Sequence, residues 1–82
     1  MASSSIENDI ISIISEITGF EPEEITADTN IVQDLEVDSI KAIEITVAIE
    51  KKFNVSVRDE DVPKIVSVKQ AVELVERLLM PA

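Results

Sequence analysis

Residues 34–53 read DLEVDSIKAIEITVAIEKKF, an acidic stretch that passes directly into an amphipathic pattern with the period of a helix. At about 100° per residue, this pattern puts one set of side chains on a single face, which we expect to lie in the core. The set is Ala42, Ile45, Thr46, Ile49 and Phe53. The spacing predicts a helix that begins at Ser39, continues to about Lys52 and ends near Asn54.

The same helix carries a second apolar stripe, formed by Ile40, Ile43 and Val47. A helix in a small bundle buries one face, so a second apolar stripe needs its own explanation. One explanation is structural: the preceding loop or a third helix covers Ile43. The other is functional: Ile40 and Val47 stay partly exposed and contact partner proteins. Both explanations are open at this point.

Helical spacing recurs on both sides of this segment. Isoleucines at positions 6, 10, 13, 14 and 17 predict a first helix from about Ser5 to Thr18. A capping box at Ser4–Glu7 is expected to start it, and Gly19 to end it. Val55–Val57 is predicted to be a packed connection, because a single short strand has no pairing partner.

Two further helices are predicted near the C-terminus. Asp59–Asp61 precede a short helix that carries Val62 and Ile65, with Pro63 tolerated in its first turn. Ser67–Gln70 has capping-box spacing and opens a last helix. Its apolar stripe consists of Val68, Ala71, Val72, Val75, Leu78 and Leu79. We expect residues 80–82 to fray.

Residues 19–38 form the predicted loop between the first two main helices, with a short helical turn at Pro22 and Glu23. We expect four apolar side chains to attach this loop to the core: Ile25, Ile31, Val32 and Leu35. The predicted fold is therefore all-α. It is a small four-helix bundle, with three main helices, one short helix and a long loop between helices 1 and 2, in a single domain over residues 1–82.

Composition excludes several functions. The chain has no cysteine and no histidine, which excludes cysteine nucleophiles, imidazole catalysis and thiolate or imidazole metal ligation. The net charge of −10 argues against binding to nucleic acid or anionic membrane surfaces. The sequence has no signal-peptide pattern and no apolar stretch of about 18 residues, so we expect a cytoplasmic protein without stable membrane insertion. We also expect a monomer.

The charge is distributed unevenly. Residues 1–38 contain ten acids and no lysine or arginine, whereas residues 39–82 contain seven acids and seven bases. The whole net charge therefore precedes Ser39. Asp34, Glu36 and Asp38 alternate like the first ligands of a calcium loop, but Ser39 and Ile45 stand where such a loop needs glycine and glutamate. No metal site is predicted.

Ser39 follows Asp38 at the predicted helix start, and both residue types commonly cap helices, so plain capping is the ordinary explanation. A serine at this position also lies beside unpaired backbone N–H groups and the positive end of the helix dipole, which favour a phosphodiester. The preceding acids would attract a basic transferase and help to hold the Mg²⁺ of phosphoryl transfer. These local features leave capping and modification as alternatives.

The sequence resembles the acyl carrier protein family over nearly the whole chain. The matching segments are Pro22–Thr26 with Asp28, Asp34-Leu35, Asp38-Ser39-Ile40, Glu44, Ala48–Glu50, Phe53, Asp59–Asp61, Lys64-Ile65, Val68 and Ala71-Val72. The resemblance implies a four-helix bundle that is a carrier and not an enzyme. It implies 4'-phosphopantetheine attached covalently to Ser39, with acyl cargo held on its thiol as a thioester.

The resemblance also implies partners. These are a phosphopantetheinyl transferase and acyl-processing enzymes with basic docking patches, in fatty acid, polyketide or related specialised lipid biosynthesis. The residues expected to dock them are Asp34, Glu36, Asp38, Ile40, Glu44, Val47 and Glu50. An alternative is an unmodified helical adaptor of carrier-like fold, in which Ile40, Ile43 and Val47 hold a partner helix.

The chain departs from the family pattern at several positions. Glu36 stands where the family usually has glycine, so we expect a stiffer approach to Ser39, and Arg58 stands where proline is common. Lys41, Lys51 and Lys52 occupy positions that are commonly acidic in carriers of fatty acid synthesis. We therefore expect a specialised carrier whose partners depend less on the far end of the helix.

Overall fold

The computed structural model describes residues 2–79 and has an all-α fold. Its main helices are α1 (Ala2–Thr18), α2 (Ser39–Phe53) and α3 (Val68–Leu79). Two 3₁₀ helices, Pro22–Glu24 and Asp59–Lys64, lie between them. The predicted fold class is confirmed, including the short helix before α3 and the turn at Pro22. The predicted fraying at residues 80–82 falls outside the described residues. No helix over residues 2–79 has the length and hydropathy needed to cross a membrane.

The core is an isoleucine- and valine-rich layer between α1, α2 and α3. Its centre is fully buried, and each such side chain contributes about 1.5–3 kcal/mol of hydrophobic free energy. The largest fully buried side chains are Ile10, Ile14, Ile49, Val68 and Val75. Ile45 and Thr46 of the predicted core face are also buried, while Ala42 and Phe53 are half-buried and pack against the core.

The first helix differs from its prediction at the start and agrees with it at the end. It begins at Ala2, so Ser4 lies inside the helix and cannot cap it. Alanine is the best helix former and nothing in this segment breaks a helix, which explains the earlier start. Gly19 follows the last turn with φ +85°, and its N–H donates to the Ser15 carbonyl at 2.9 Å. The predicted glycine cap is confirmed.

The long loop is attached to the core by Ile25, Ile31 and Leu35, which are all buried. The prediction for Val32 is wrong, because it is 48% exposed. It lies in a turn closed by a hydrogen bond from the Asp34 N–H to the Asn30 carbonyl (2.8 Å), and its half-exposed side chain lines a surface groove together with Val37 and Ile43. The loop also pairs with the chain before α3, where the Ile31 N–H donates to the Val66 carbonyl at 2.7 Å.

The last helix begins with the predicted capping box. The Gln70 N–H donates to the Ser67 hydroxyl at 3.2 Å, and the Ser67 N–H donates to Gln70 Oε1 at 3.0 Å. The predicted stripe is buried except near its end, where Leu79 is 46% exposed. Leu74 lies outside the predicted stripe and is nevertheless buried.

Residues 55–57 form the predicted packed connection, with no strand. They are held by α2, because the Val57 N–H donates to the Glu50 carboxylate at 2.7 Å. Asn54 ends α2 in the left-handed conformation (φ 56°), which asparagine tolerates better than most residues.

Candidate functional site

At the start of α2, the residue that caps the helix and the serine are two different residues. Asp38 is the N-cap, and its Oδ1 accepts a hydrogen bond from the Lys41 N–H at 2.9 Å. Its carbonyl accepts the first backbone bond of the helix, from the Ala42 N–H at 2.9 Å. Ser39 is therefore the first helical residue, and the capping role belongs to Asp38.

The Ser39 side chain is exposed, and its hydroxyl has no hydrogen-bond partner within residues 2–79. It lies at the N-terminal end of α2, where unpaired N–H groups and the helix dipole favour a bound phosphate group. The chain has no histidine that could activate this hydroxyl as a nucleophile. The geometry therefore suits a serine that another enzyme modifies.

The acidic loop reaches Ser39 through an alternation of buried and exposed side chains. Leu35 and Val37 are both buried at 5% exposure, while Glu36 between them is exposed. Glu36 has φ 52°, in the left-handed region that residues other than glycine seldom adopt. Position 36, between the two buried side chains, thus has the conformation that glycine adopts without strain.

Asp34 closes the turn that precedes this segment. Its Oδ2 accepts a hydrogen bond from the Asn30 N–H at 2.9 Å, and Asn30 Oδ1 accepts one from the Gln33 N–H at 2.8 Å. Asp34 remains exposed, so one carboxylate both stabilises the turn and faces solvent.

The outward face of α2 is apolar at its centre. Ile40 is 68% exposed, Ile43 56% and Val47 40%, so neither the loop nor another helix covers this second stripe. Glu44 lies exposed among them. Glu50 is half-buried and holds the Val57 N–H, which gives it a structural role in addition to its predicted docking role.

The three lysines that distinguish this chain have different surroundings. Lys41 Nζ lies 3.5 Å from the Ile17 carbonyl, in the last turn of α1, where a cation is favoured. Lys51 and Lys52 are exposed in the last turn of α2, and neither has an ion pair or hydrogen bond from its side chain within the described residues.

A groove of about 470 Å³ lies beside Ser39, between α2 and the second 3₁₀ helix. Its walls include Val37, Ala42 and Ile43 on one side and Val62, Pro63 and Ile65 on the other. A smaller cavity of about 20 Å³, lined by Ile45 and other core side chains, shares several of these walls. The groove was not predicted from the sequence. The available signal was the apolar character of the short helix, opposite the second stripe of α2.

Residues 8–78 match the family model described as the phosphopantetheine attachment site. The chain is 36% identical to an acyl carrier protein of Akkermansia muciniphila over 78 residues, covering 95% of this chain and 98% of the relative. The chain belongs to the acyl carrier protein family.

Further comparisons agree with this family assignment. The meromycolate extension acyl carrier protein of Mycobacterium leprae is 41% identical over 69 residues, covering 84% of this chain and 60% of that relative. The solved structure of a thermally stable acyl carrier protein from Enterococcus faecalis superposes with a TM-score of 0.80 at 31% identity, covering 95% of this chain and 99% of that one.

Membership of the family has direct consequences for function. An acyl carrier protein binds 4'-phosphopantetheine covalently and carries acyl groups for fatty acid or related lipid biosynthesis. It is a carrier and not a catalyst, and it interacts with a phosphopantetheinyl transferase and with acyl-processing enzymes. The sequence-based predictions of family, cofactor and carrier function are confirmed.

Proposed function

We propose that Ser39 is the residue that carries the 4'-phosphopantetheine arm. The observation that carries this proposal is the exposed Ser39 hydroxyl without a hydrogen-bond partner among residues 2–79, at a helix start whose cap comes from Asp38. Because the hydroxyl makes no hydrogen bond that stabilises the helix start, a transferase can modify it without disrupting the cap. The unpaired N–H groups of the first turn then favour the new phosphodiester.

The groove beside Ser39 supports the proposal that the cargo is an acyl chain. Its walls are mainly apolar, and it opens next to the proposed attachment point. An acyl chain at the end of the arm can fold back and cover these walls, because burial of apolar surface on both partners is favourable. Val62 and Ile65 of the second 3₁₀ helix would form the wall opposite α2.

The proposed partners dock on the surface around Ser39. The transferase and the acyl-processing enzymes bring basic patches to the acidic loop and to the outward face of α2. The proposed docking residues are those of the sequence analysis: Asp34, Glu36, Asp38, Ile40, Glu44, Val47 and Glu50. The pathway is fatty acid, polyketide or related specialised lipid synthesis. We also propose that the protein is a monomer and that it is located in the cytoplasm.

The test is enzymatic loading followed by intact-mass measurement. The purified protein is incubated with coenzyme A, Mg²⁺ and a promiscuous phosphopantetheinyl transferase. We expect the mass to increase by one phosphopantetheinyl group in the wild type and to stay unchanged in Ser39→Ala. Ser56→Ala is the matched control, because Ser56 is also exposed and lies outside the site.

Two results would contradict the proposal. A Ser39→Ala variant that still gains the group would refute the site. A folded wild type that gains nothing would favour the adaptor alternative, in which the exposed Ile40, Ile43 and Val47 contact a partner without any modification.

A further inference from the structure

The outward ridge of α2 has a regular chemical order. Ile40, Glu44, Val47 and Lys51 follow at intervals of four, three and four residues, which places them within an arc of about 60° on the helix. We call these four residues the α2 strip. All four are exposed, and they run from the first turn of the helix, beside Ser39, to its last turn.

The strip carries two charges of opposite sign. Glu44 lies nearer to Ser39, and Lys51 follows about 10 Å farther along the axis, with Val47 between them. The two charged residues are seven positions apart, so their side chains are too far from each other along the helix to pair. Neither has an ion pair within residues 2–79, so both charges are available to another molecule.

Lys51 is distinguished from the other two lysines by its direction. Lys41 approaches the end of α1 through the Ile17 carbonyl, and Lys52 lies about 20° from Lys41 around the helix, on the same flank. Lys52 is thus about 100° away from Lys51, although the two are adjacent in sequence. Of the three lysines, Lys51 alone lies on the strip.

We infer that the α2 strip selects acyl-processing enzymes whose docking surface carries an acidic group opposite Lys51, in addition to a basic group opposite Glu44 and an apolar patch between them. This inference rests on the proposed function, names the chemistry of its partners, and gives the far end of α2 a larger part in partner choice than the sequence analysis predicts. An enzyme with basic groups along the whole docking surface would place a cation against Lys51. The mismatched charge would weaken binding of that enzyme and so provide selectivity.

A second copy of the chain is the rival occupant. In an antiparallel pair of strips, Glu44 of each copy would face Lys51 of the other, with Val47 near the two-fold axis. One strip of a single helix offers little surface, however, whereas stable interfaces bury about 1,200–2,000 Å². We therefore assign the strip to an enzyme that also contacts the acidic loop and the arm.

The experiment compares Lys51→Glu with Lys52→Glu. Both variants change the net charge equally and both act in the last turn of α2, so helix-dipole effects are matched. Each is first loaded with phosphopantetheine and checked by intact mass and thermal melting. Loading of the wild type tests the proposed function, so failure at that step is separate from failure of the docking inference.

The loaded proteins are then assayed with two probes. The first is a malonyl-transferring enzyme of bacterial fatty acid synthesis, chosen for a docking surface that is basic throughout. We expect Lys51→Glu to raise its kcat/KM by about two- to fivefold, and Lys52→Glu to change it by less than about twofold. The second probe is an acyl-processing enzyme encoded beside this carrier's gene. There we expect Lys51→Glu to lower kcat/KM by a similar factor, and 0.5 M salt to reduce the difference.

Several results would overturn the inference. Equal effects of the two variants would show that net charge matters and position does not. A neighbouring-gene enzyme that gains activity with Lys51→Glu would show that it carries no acid at this point. A wild-type dimer in sedimentation velocity that dissociates in Lys51→Glu and persists in Lys52→Glu would make the second copy the occupant.

Discussion

Asp38 and Ser39 are residues of similar capping preference, and their order along the chain decides their roles. The first acceptor at the helix start is the Asp38 carboxylate, which binds the Lys41 N–H. Ser39, one position later, has helical backbone geometry. Its exposed hydroxyl has no backbone hydrogen-bond partner among the described residues. A residue that could have capped the helix is thus available for chemistry.

Glu36 provides a test of strain at the residue scale. Its φ of 52° costs a residue with a Cβ about 1 kcal/mol relative to glycine. We expect Glu36→Gly to be more stable than Glu36→Ala by about 1 kcal/mol, which corresponds to roughly 4–8 °C in Tm. Both variants remove the same carboxylate, so the comparison isolates the backbone. Equal melting temperatures would show that the conformation at position 36 is not strained.

At the scale of elements, α2 is fastened at both ends by its own side chains. Asp38 caps the start, and Glu50 in the last turns holds the Val57 N–H of the following connection. The second contact positions residues 55–57 before the second 3₁₀ helix, which forms one wall of the groove. The position of this wall therefore depends in part on the Glu50 carboxylate of α2.

Replacement of Glu50 tests this connection. We expect Glu50→Ala to lower the free energy of unfolding by about 1–2 kcal/mol, because the Val57 N–H loses its charged acceptor. Glu50→Gln keeps an acceptor oxygen and should lose less than half of that amount. Urea denaturation of both variants measures the difference. If both variants lose the same stability, the charge of Glu50 matters and the hydrogen bond does not.

The spacing of apolar residues and the residues that start or end helices predicted the elements well. Isoleucines at helical intervals gave α1, and Gly19 and the Ser67 capping box gave the ends of two helices. The misses have physical causes. Val32 is half-exposed because it lines a groove that only the packing of α2 beside the second 3₁₀ helix creates, and the earlier start of α1 reflects the absence of any helix breaker. The pairing of the loop with Val66 involves backbone groups, which carry no sequence signal.

The candidate site was predictable only in part, because some of its features depend on local sequence and others on tertiary packing. Ser39 and the exposed stripe of α2 follow from sequence pattern and family resemblance. The groove does not, because it arises where α2 and the second 3₁₀ helix meet in space. Likewise, the contact of Lys41 Nζ with the Ile17 carbonyl requires the packing of α2 against α1.

At the scale of the whole molecule, the net charge of −10 is carried entirely by residues 1–38. A core of this size supplies only about 3–5 kcal/mol of stability, so repulsion among like charges is a sizeable term. Within residues 2–79, no group of three carboxylates lies close enough to hold a metal ion. From the uneven charge alone, we expect ions to act on this protein by screening.

Thermal melting in salt tests this view. We expect NaCl between 10 and 500 mM to raise the Tm by several degrees, and MgCl₂ at matched ionic strength to raise it by the same amount. A larger increase with Mg²⁺ would contradict screening and point to a specific divalent site. The triple variant Lys51→Glu, Lys52→Glu, Lys64→Glu should increase the salt dependence.

The position of the arm on the chain is the most direct test of the carrier mechanism. After loading with coenzyme A, cleavage at glutamates releases residues 37–44, in which Ser39 is the only hydroxyl side chain. Tandem mass spectrometry of this peptide should find one phosphopantetheinyl group on Ser39, with the other serine-containing peptides unmodified. An unmodified 37–44 peptide from a loaded protein would contradict the account, because the arm would then be on another residue.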